Sequence, residues 1–253
     1  MSFITRKCAR SIVVAVGALS AIPYASATQV LVNGNFETGT LAGWSATSTQ
    51  NTSFQASLND GQNSQVVNGG GSGGPVWYVR NRSANYFGTP ATPIAGYSAF
   101  NGFDGDPGVF TLRQAFSVSG PVASSILNFS FAAQATYSNL ARTFDANILD
   151  STGATVLFNA FHFVLPYSNT SWVINNESLD ISTALNSLGA GSYMLAFQEN
   201  IPQSYTGPAQ FAIDNISLDI ANRATVPEPG SIALLGLALG GLAVSRRKRV
   251  ASL

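Results

Sequence analysis

The stretch ILNFSFAAQAT at 126–136 places Leu127, Phe129, Phe131, Ala133 and Ala135 on one parity, with Asn128, Ser130, Gln134 and Thr136 on the other. Side chains along a strand point alternately to its two faces, so this spacing predicts a strand with one buried face. The same period recurs in 110–118, 144–149 and 155–165, and in 192–201, where Tyr193, Leu195 and Phe197 alternate with Met194, Ala196 and Gln198. Turn residues separate the runs: Ser119-Gly120-Pro121, Asp150-Ser151-Thr152-Gly153 and Gly189-Ala190-Gly191. No long 3.6-residue period appears, and only 181–188 reads as a helical turn. Many short strands between residues 28 and 222 predict an all-β fold, an antiparallel β-sandwich of the jelly-roll type.

The final run, FAIDNISLDI at 211–220, contains a break in parity. Phe211 and Ile213 share one parity, and Ile216, Leu218 and Ile220 the other. One extra residue at Asp214-Asn215 would restore a single apolar face, which predicts a β-bulge there. Bulges re-aim side chains, and Asp214 is the side chain concerned; the plainer alternative is a solvated carboxylate at a kink.

The two ends differ from this middle. Arg6, Lys7 and Arg10 precede an apolar stretch at 11–22, and Ala25-Ser26-Ala27 offers small residues before Thr28, the order of a secretory signal peptide. The single cysteine, Cys8, lies in that segment, so a mature chain has neither a disulfide framework nor a catalytic thiol. Between residues 28 and 226 five arginines face eleven acids, a net charge of −6 with no lysine. Nucleic-acid binding needs a basic face to neutralise phosphates, and this stretch has none.

At the other end, residues 232–244 would form about 20 Å of helix. A bilayer core is about 30 Å thick and normally takes about 20 apolar residues, so the segment is a marginal span. Pro227 and Pro229 precede it, and Arg246, Arg247, Lys248 and Arg249 follow as a stop-transfer cluster. Val226-Pro227-Glu228-Pro229, the short apolar helix and the cationic end together resemble the PEP-CTERM sorting signal of Gram-negative bacteria. The resemblance implies processing by signal peptidase and then by a membrane-embedded exosortase acting at Pro227, Glu228 and Pro229. It also implies transient insertion in the inner membrane and a destination at the cell surface or extracellular matrix. The expected organisation is a signal peptide at 1–27, a β-sandwich at 28–222 and a linker with the sorting tripeptide at 223–230. A short transmembrane-like helix at 231–245 and a basic cytoplasmic tail at 246–253 complete it.

The opening VLVNGNFETGTLAGW at 30–44 and the closing IDNISL are similar to the ends of jelly-roll carbohydrate-binding modules of the galactose-binding-like superfamily. In that superfamily the terminal strands frequently hold a structural calcium. The resemblance implies Glu37 and Asp214 as ligands, with the Asn35 main-chain carbonyl as a third, and a calcium-free fold as the alternative. Calcium takes six to eight oxygens and accepts backbone carbonyls, so this donor chemistry is suitable. Asp104 and Asp106 in NGFDGDPG lack the twelfth-position glutamate of an EF-hand loop and read as a solvated turn.

No catalytic motif emerges. His162 is the only histidine, which argues against a zinc site, and G-x-S-x-G does not occur. The sequence therefore predicts a non-enzymatic protein. Aromatic faces suit sugar rings, and Trp77, Tyr78 and Trp172, with Arg80 nearby, are the candidate carbohydrate contacts. Exposed rings would indicate an exopolysaccharide-binding module. Buried rings would indicate a structural or adhesive matrix protein. A hydrolase would instead bring His162 or two carboxylates into a cleft.

Overall fold

Alternation translates directly into two antiparallel sheets. The computed structural model describes residues 26–49, 77–81, 94–101, 108–135, 140–166, 171–202, 209–223 and 236–239. The strands are β1 (Thr28–Gln29), β2 (Ser45–Ser48), β3 (Tyr78–Asn81), β4 (Tyr97–Asn101), β5 (Gly108–Val118) and β6 (Val122–Ala135). They continue as β7 (Arg142–Leu149), β8 (Val156–Leu165), β9 (Val173–Asp180), β10 (Gly191–Ile201) and β11 (Ala209–Asn222). One helix, α1 (Ser182–Leu188), lies between β9 and β10. The first sheet runs β3-β4-β11-β6-β9, with β1 also pairing β11; the second runs β2-β5-β10-β7-β8. All the runs expected from alternation are strands, and the 181–188 segment is the helix.

Sequence spacing fixes which side chains meet between the sheets. Leu127, Phe129, Phe131 and Ala133 of β6 are buried, as are Phe144, Ala146 and Ile148 of β7 and Leu195 and Phe197 of β10. Phe144 stacks on Phe211 at 5.3 Å and 12°, on Phe131 at 5.3 Å and 27°, and on Phe197 at 6.0 Å and 16°. Rings from β6, β7, β10 and β11 thus form one aromatic centre that ties the sheets together. The β7–β8 hairpin is set by its turn: the Gly153 amide donates to the Asp150 carbonyl at 3.0 Å, with Gly153 at φ +74. Asp150 Oδ1 accepts from the Thr152 hydroxyl at 2.8 Å and the Ala154 amide at 3.0 Å, which holds its carboxyl down at about 2.

The parity break in β11 is a bulge. Asp214 pairs with Ser130 and Ser217 with Asn128, so Asn215 and Ile216 oppose Phe129 alone. Asn215 sits in the bulge at φ 54, the left-handed side of φ that one class of bulge uses. The apolar face then continues through Ile216, Leu218 and Ile220, all buried. Asp214 is 3 % exposed, which excludes the solvated kink.

The chain divides into two compact units, Ala25–Arg223 and a second made of Met1–Tyr24 with Ala224–Leu253. In the second, residues 236–239 are helical, and no helix among the described residues is long and apolar enough to cross a membrane. The signal-peptide residues before 26, the sorting residues Pro227, Glu228 and Pro229, and Asp104 and Asp106 lie outside the described residues.

Candidate functional site

The motif Asn33-Gly34-Asn35-Phe36-Glu37 has a mechanical reading. Gly34 lies against the bulge: its carbonyl accepts from the Ile216 amide at 2.9 Å, and a Cβ there would sit 1.9 Å from the Ile216 carbonyl oxygen. Only glycine permits that approach. Phe36 is fully buried at φ 50 and packs on Trp44 at 5.8 Å, so the core holds an aromatic residue in a conformation it rarely adopts. Trp44 is core; its indole N–H reaches the Val32 and Asn33 carbonyls at 3.1 and 3.2 Å. With Phe36 anchored, Glu37 projects back over β4, where its Oε1 accepts from the Tyr97 amide at 3.2 Å. Gly96, at φ +77, leaves room for it, since a Cβ there would lie 2.4 Å from Glu37 Oε1. Asn35 Oδ1 accepts from the Glu37 amide at 3.5 Å.

This loop brings Glu37 to Asp214. Burial pushes the Asp214 carboxyl up to about 7; a hydrogen bond from the Asn215 main chain opposes the shift, and the Glu37 carboxylate adds to it. Asp214 Oδ2 accepts from the Asn215 side-chain amide at 3.1 Å, whereas its buried Oδ1 has no hydrogen-bond partner among the described residues. Two carboxylates that repel, one with an orphaned buried oxygen, suit a hard cation held by oxygen ligands. Among the described residues no group of three or more His, Cys, Asp or Glu converges, so carbonyl oxygens would have to complete any shell.

The aromatic candidates separate. Trp77 is 2 % exposed and belongs to the core, so in this structure its ring offers no face for stacking. It directly precedes β3, which pairs with β4. Tyr78 and Arg80 pair with Phe100 and Ser98, and their side chains lie outside the described set. Trp172 precedes β9 and is half-buried against the core.

A different feature lies on the outer face of the five-stranded sheet. The Gln198 side-chain amide donates to Thr111 Oγ1 at 3.1 Å, and Asn147 donates to Gln198 Oε1 at 2.6 Å. Asn159 donates to Asn147 Oδ1 at 2.8 Å and to Asp145 Oδ1 at 3.0 Å. His162 Nδ1 meets Asp145 Oδ1 at 2.7 Å, and the Thr143 hydroxyl donates to Asp145 Oδ2 at 3.3 Å. One polar row therefore crosses β5, β10, β7 and β8. Its β5 end and its β7 member are buried, Thr111 at 7 % and Asn147 at 5 %, and Gln198 between them is half-buried; its β8 end is open, with the His162 side chain 53 % exposed. His162 is thus a sheet-face residue held by a carboxylate. Among the described residues no Ser or Thr hydroxyl is bonded to it, so the pair lacks a nucleophile there.

Sequence reasoning did not assemble this row. Apart from His162 its members read singly as ordinary surface polar residues, and Asn159 and His162, at opposite parities, share a face only through the irregularity in β8. Only the register of four strands aligns them.

Known proteins bear first on the tail. Residues 225–249 match the PEP-CTERM protein-sorting motif, so the chain is exported and directed to the cell surface. No curated protein matches the sequence. Among solved structures, a family 61 carbohydrate-binding module in complex with β-1,4-galactotriose has a TM-score of 0.41 at 11 % identity, covering 76 % of this chain and 97 % of that one. A non-crystalline-cellulose-specific family 28 module has a TM-score of 0.43 at 12 % identity, covering 78 % and 99 %. The K1 cleaved adhesin domain of Lys-gingipain from Porphyromonas gingivalis W83 has a TM-score of 0.40 at 14 % identity, covering 75 % and 96 %.

Proposed function

We propose that this exported protein binds neutral polysaccharide at the cell surface or in the matrix through the polar row on its five-stranded sheet, and that a calcium ion between Glu37 and Asp214 stabilises the domain. The row carries the reading. Side-chain amides are both donors and acceptors, as sugar hydroxyls are, and this network already holds them in fixed orientations. Pre-ordered groups lose little further entropy on binding. Net charge narrows the ligand: with five arginines against eleven acids between residues 28 and 226, an anionic polymer is repelled and a neutral one is not. Exosortase, which processes proteins bearing this motif, and signal peptidase are the expected processing partners. Binding needs no catalytic step, and the site is read as non-enzymatic.

The test is affinity electrophoresis of the Ala25–Arg223 unit through gels containing neutral or acidic exopolysaccharides. At least one neutral polymer is expected to retard it, and Gln198→Ala to weaken binding by about tenfold, about 1.4 kcal/mol. Retardation unchanged by Gln198→Ala would remove the row from the site. The burial of Trp44 and Trp77 favours a second reading, a structural or adhesive matrix protein without a defined glycan. That reading gains if no polymer retards a folded protein.

Calcium would neutralise the Glu37–Asp214 repulsion and join the opening loop to the last strand; it would supply no chemistry beyond that. The pH dependence follows from the carboxyls. Asp214 and Glu199 are raised from 3.8 and 4.5 to about 7, so each destabilises the fold once ionised. Without calcium, stability is therefore lost as pH rises from about 4 to about 7. In EDTA the Tm is expected to be higher at pH 5 than at pH 8 by about 5 °C or more. Added calcium stabilises more at pH 8 than at pH 5, because its ligands must be ionised, and Asp214→Asn abolishes that gain. An EDTA melt that rises between pH 5 and pH 8 would contradict the carboxyl assignment. A calcium gain that persists in Asp214→Asn would move the metal elsewhere.

A further inference from the structure

The five-stranded sheet ends at β8, and among the described residues no strand pairs with its outer edge. An open edge presents amides and carbonyls to any passing strand, and proteins blunt such edges with charge, proline or brevity. The other edge strands follow that rule. β2 and β3 have four residues each, β3 carries Arg80, and β9 carries Glu177 and Asp180. β8 has ten residues, VLFNAFHFVL, with no Asp, Glu, Lys, Arg or Pro. Val156, Leu157 and Val164 on it are 51, 40 and 47 % exposed.

By residue class this strand reads almost identically in both directions. Laid antiparallel on a second copy about its midpoint, Val156 faces Leu165, Leu157 faces Val164, Phe158 faces Phe163, Asn159 faces His162, and Ala160 faces Phe161. In a regular strand such a register is forbidden, because positions related by a midpoint between two residues point to opposite faces. β8 is not regular. Ala146 pairs with Phe161 and Asn147 with Asn159, which leaves Ala160 as an inserted residue at the centre. Ala160 and Phe161 are consequently both half-buried against the core, as are Phe158 and Phe163, while Leu157, Asn159, His162 and Val164 are exposed. From Leu157 to Val164 the burial pattern is therefore symmetric about the same midpoint as the sequence, whereas the outermost pair breaks it, Val156 being exposed and Leu165 buried. A second register shift, at Leu149, affects only the strand's first residues. A bulge can turn an edge away from partners; its place at the centre of a near-palindrome favours a matched copy over an arbitrary strand.

We infer that β8 is a homodimerisation edge, on which two copies of this chain pair β8 to β8 antiparallel and join their five-stranded sheets into one sheet of ten. Between Leu157 and Val164 a two-fold axis normal to the sheet places each side chain against its own class on its own face, the isologous arrangement of a closed dimer. The inference does not rest on the polysaccharide reading. One strand pair is smaller than the roughly 1,600 Å² of a standard interface, so association is expected to be weak.

Sedimentation velocity on the Ala25–Arg223 unit from about 10 to about 500 µM tests it, a range that brackets a sub-millimolar Kd. The mass of the parent protein is expected to rise towards twice the monomer's across that range. Val164→Lys and Leu157→Glu are each expected to remain monomeric. Mixing the two restores dimer, because in this register the new amine of one copy faces the new carboxylate of the other. Ala115→Lys, on the exposed face of β5 away from the edge, leaves dimerisation unchanged, and thermal melts confirm that each variant is folded. A monomer at every concentration, a dimer indifferent to Val164→Lys, or a mixture that stays monomeric would each overturn the inference.

Discussion

Replacing Arg142 with alanine is expected to lower the unfolding free energy by about 3–5 kcal/mol, the cost of stranding one charge of a buried pair. Arg142 on β7 and Glu199 on β10 point between the sheets, 0 and 1 % exposed, with Nη1 3.2 Å from Oε1. Burial pushes the Glu199 carboxyl up to about 7 even though Arg142 opposes the shift, so desolvation outweighs the attraction. Glu199 Oε2 is buried without a hydrogen-bond partner among the described residues, and with desolvation outweighing the attraction the pair is a poor source of net stability. The double replacement Arg142→Met with Glu199→Leu is accordingly expected to stay within about 1 kcal/mol of the parent. Urea denaturation of the single and double variants decides the matter. A tolerated Arg142→Ala would mean that the charge reaches water.

Phe144→Ala should cost a similar amount, about 3–5 kcal/mol, for a different reason. Phe144 is fully buried and stacks on Phe131, Phe197 and Phe211, rings contributed by three other strands across both sheets. Its removal leaves a cavity that the surrounding rings fill only in part. For a domain of this size the Tm is expected to fall by about 10–15 °C. Phe163→Ala, on a half-buried ring at 5.1 Å from Phe131, should fall by about half as much. Thermal melts of the two variants measure both. Equal losses would mean that β8 is packed as tightly as the centre.

The sequence was most informative where a single physical constraint acted on a few neighbouring residues. The parity break at Asp214-Asn215 can arise in an apolar strand only from an insertion, and the bulge is there. Gly34, Phe36 and Glu37 form one device, a close approach, an anchor and a projected carboxylate; of the three only Glu37 was singled out in the sequence, and that through the resemblance of the opening stretch. β9 was not legible because its inward positions include Asn175 and Glu177, half-buried opposite Phe131 and Phe129, which hide its alternation. β2 and β3, four residues each, are too short to show a period. Trp77 could not be placed from composition: an aromatic after the glycine-rich stretch at 69–74 reads as a platform or, more readily, as core, and burial decides for core. The Arg142–Glu199 pair and the polar row were hidden for a common reason. Their members are 57 and up to 87 residues apart, and only sheet register makes them neighbours.

The polar row as a glycan site is the central claim, and mapping amide chemical shifts of the Ala25–Arg223 unit during titration with a neutral exopolysaccharide tests it most directly. The account predicts saturable shifts concentrated at Thr143, Asn159, His162 and Gln198, with the β3 amides of Tyr78 and Arg80 unmoved. Shifts confined to β3 and Trp172, or none in a folded protein across a panel of neutral polymers, would contradict it.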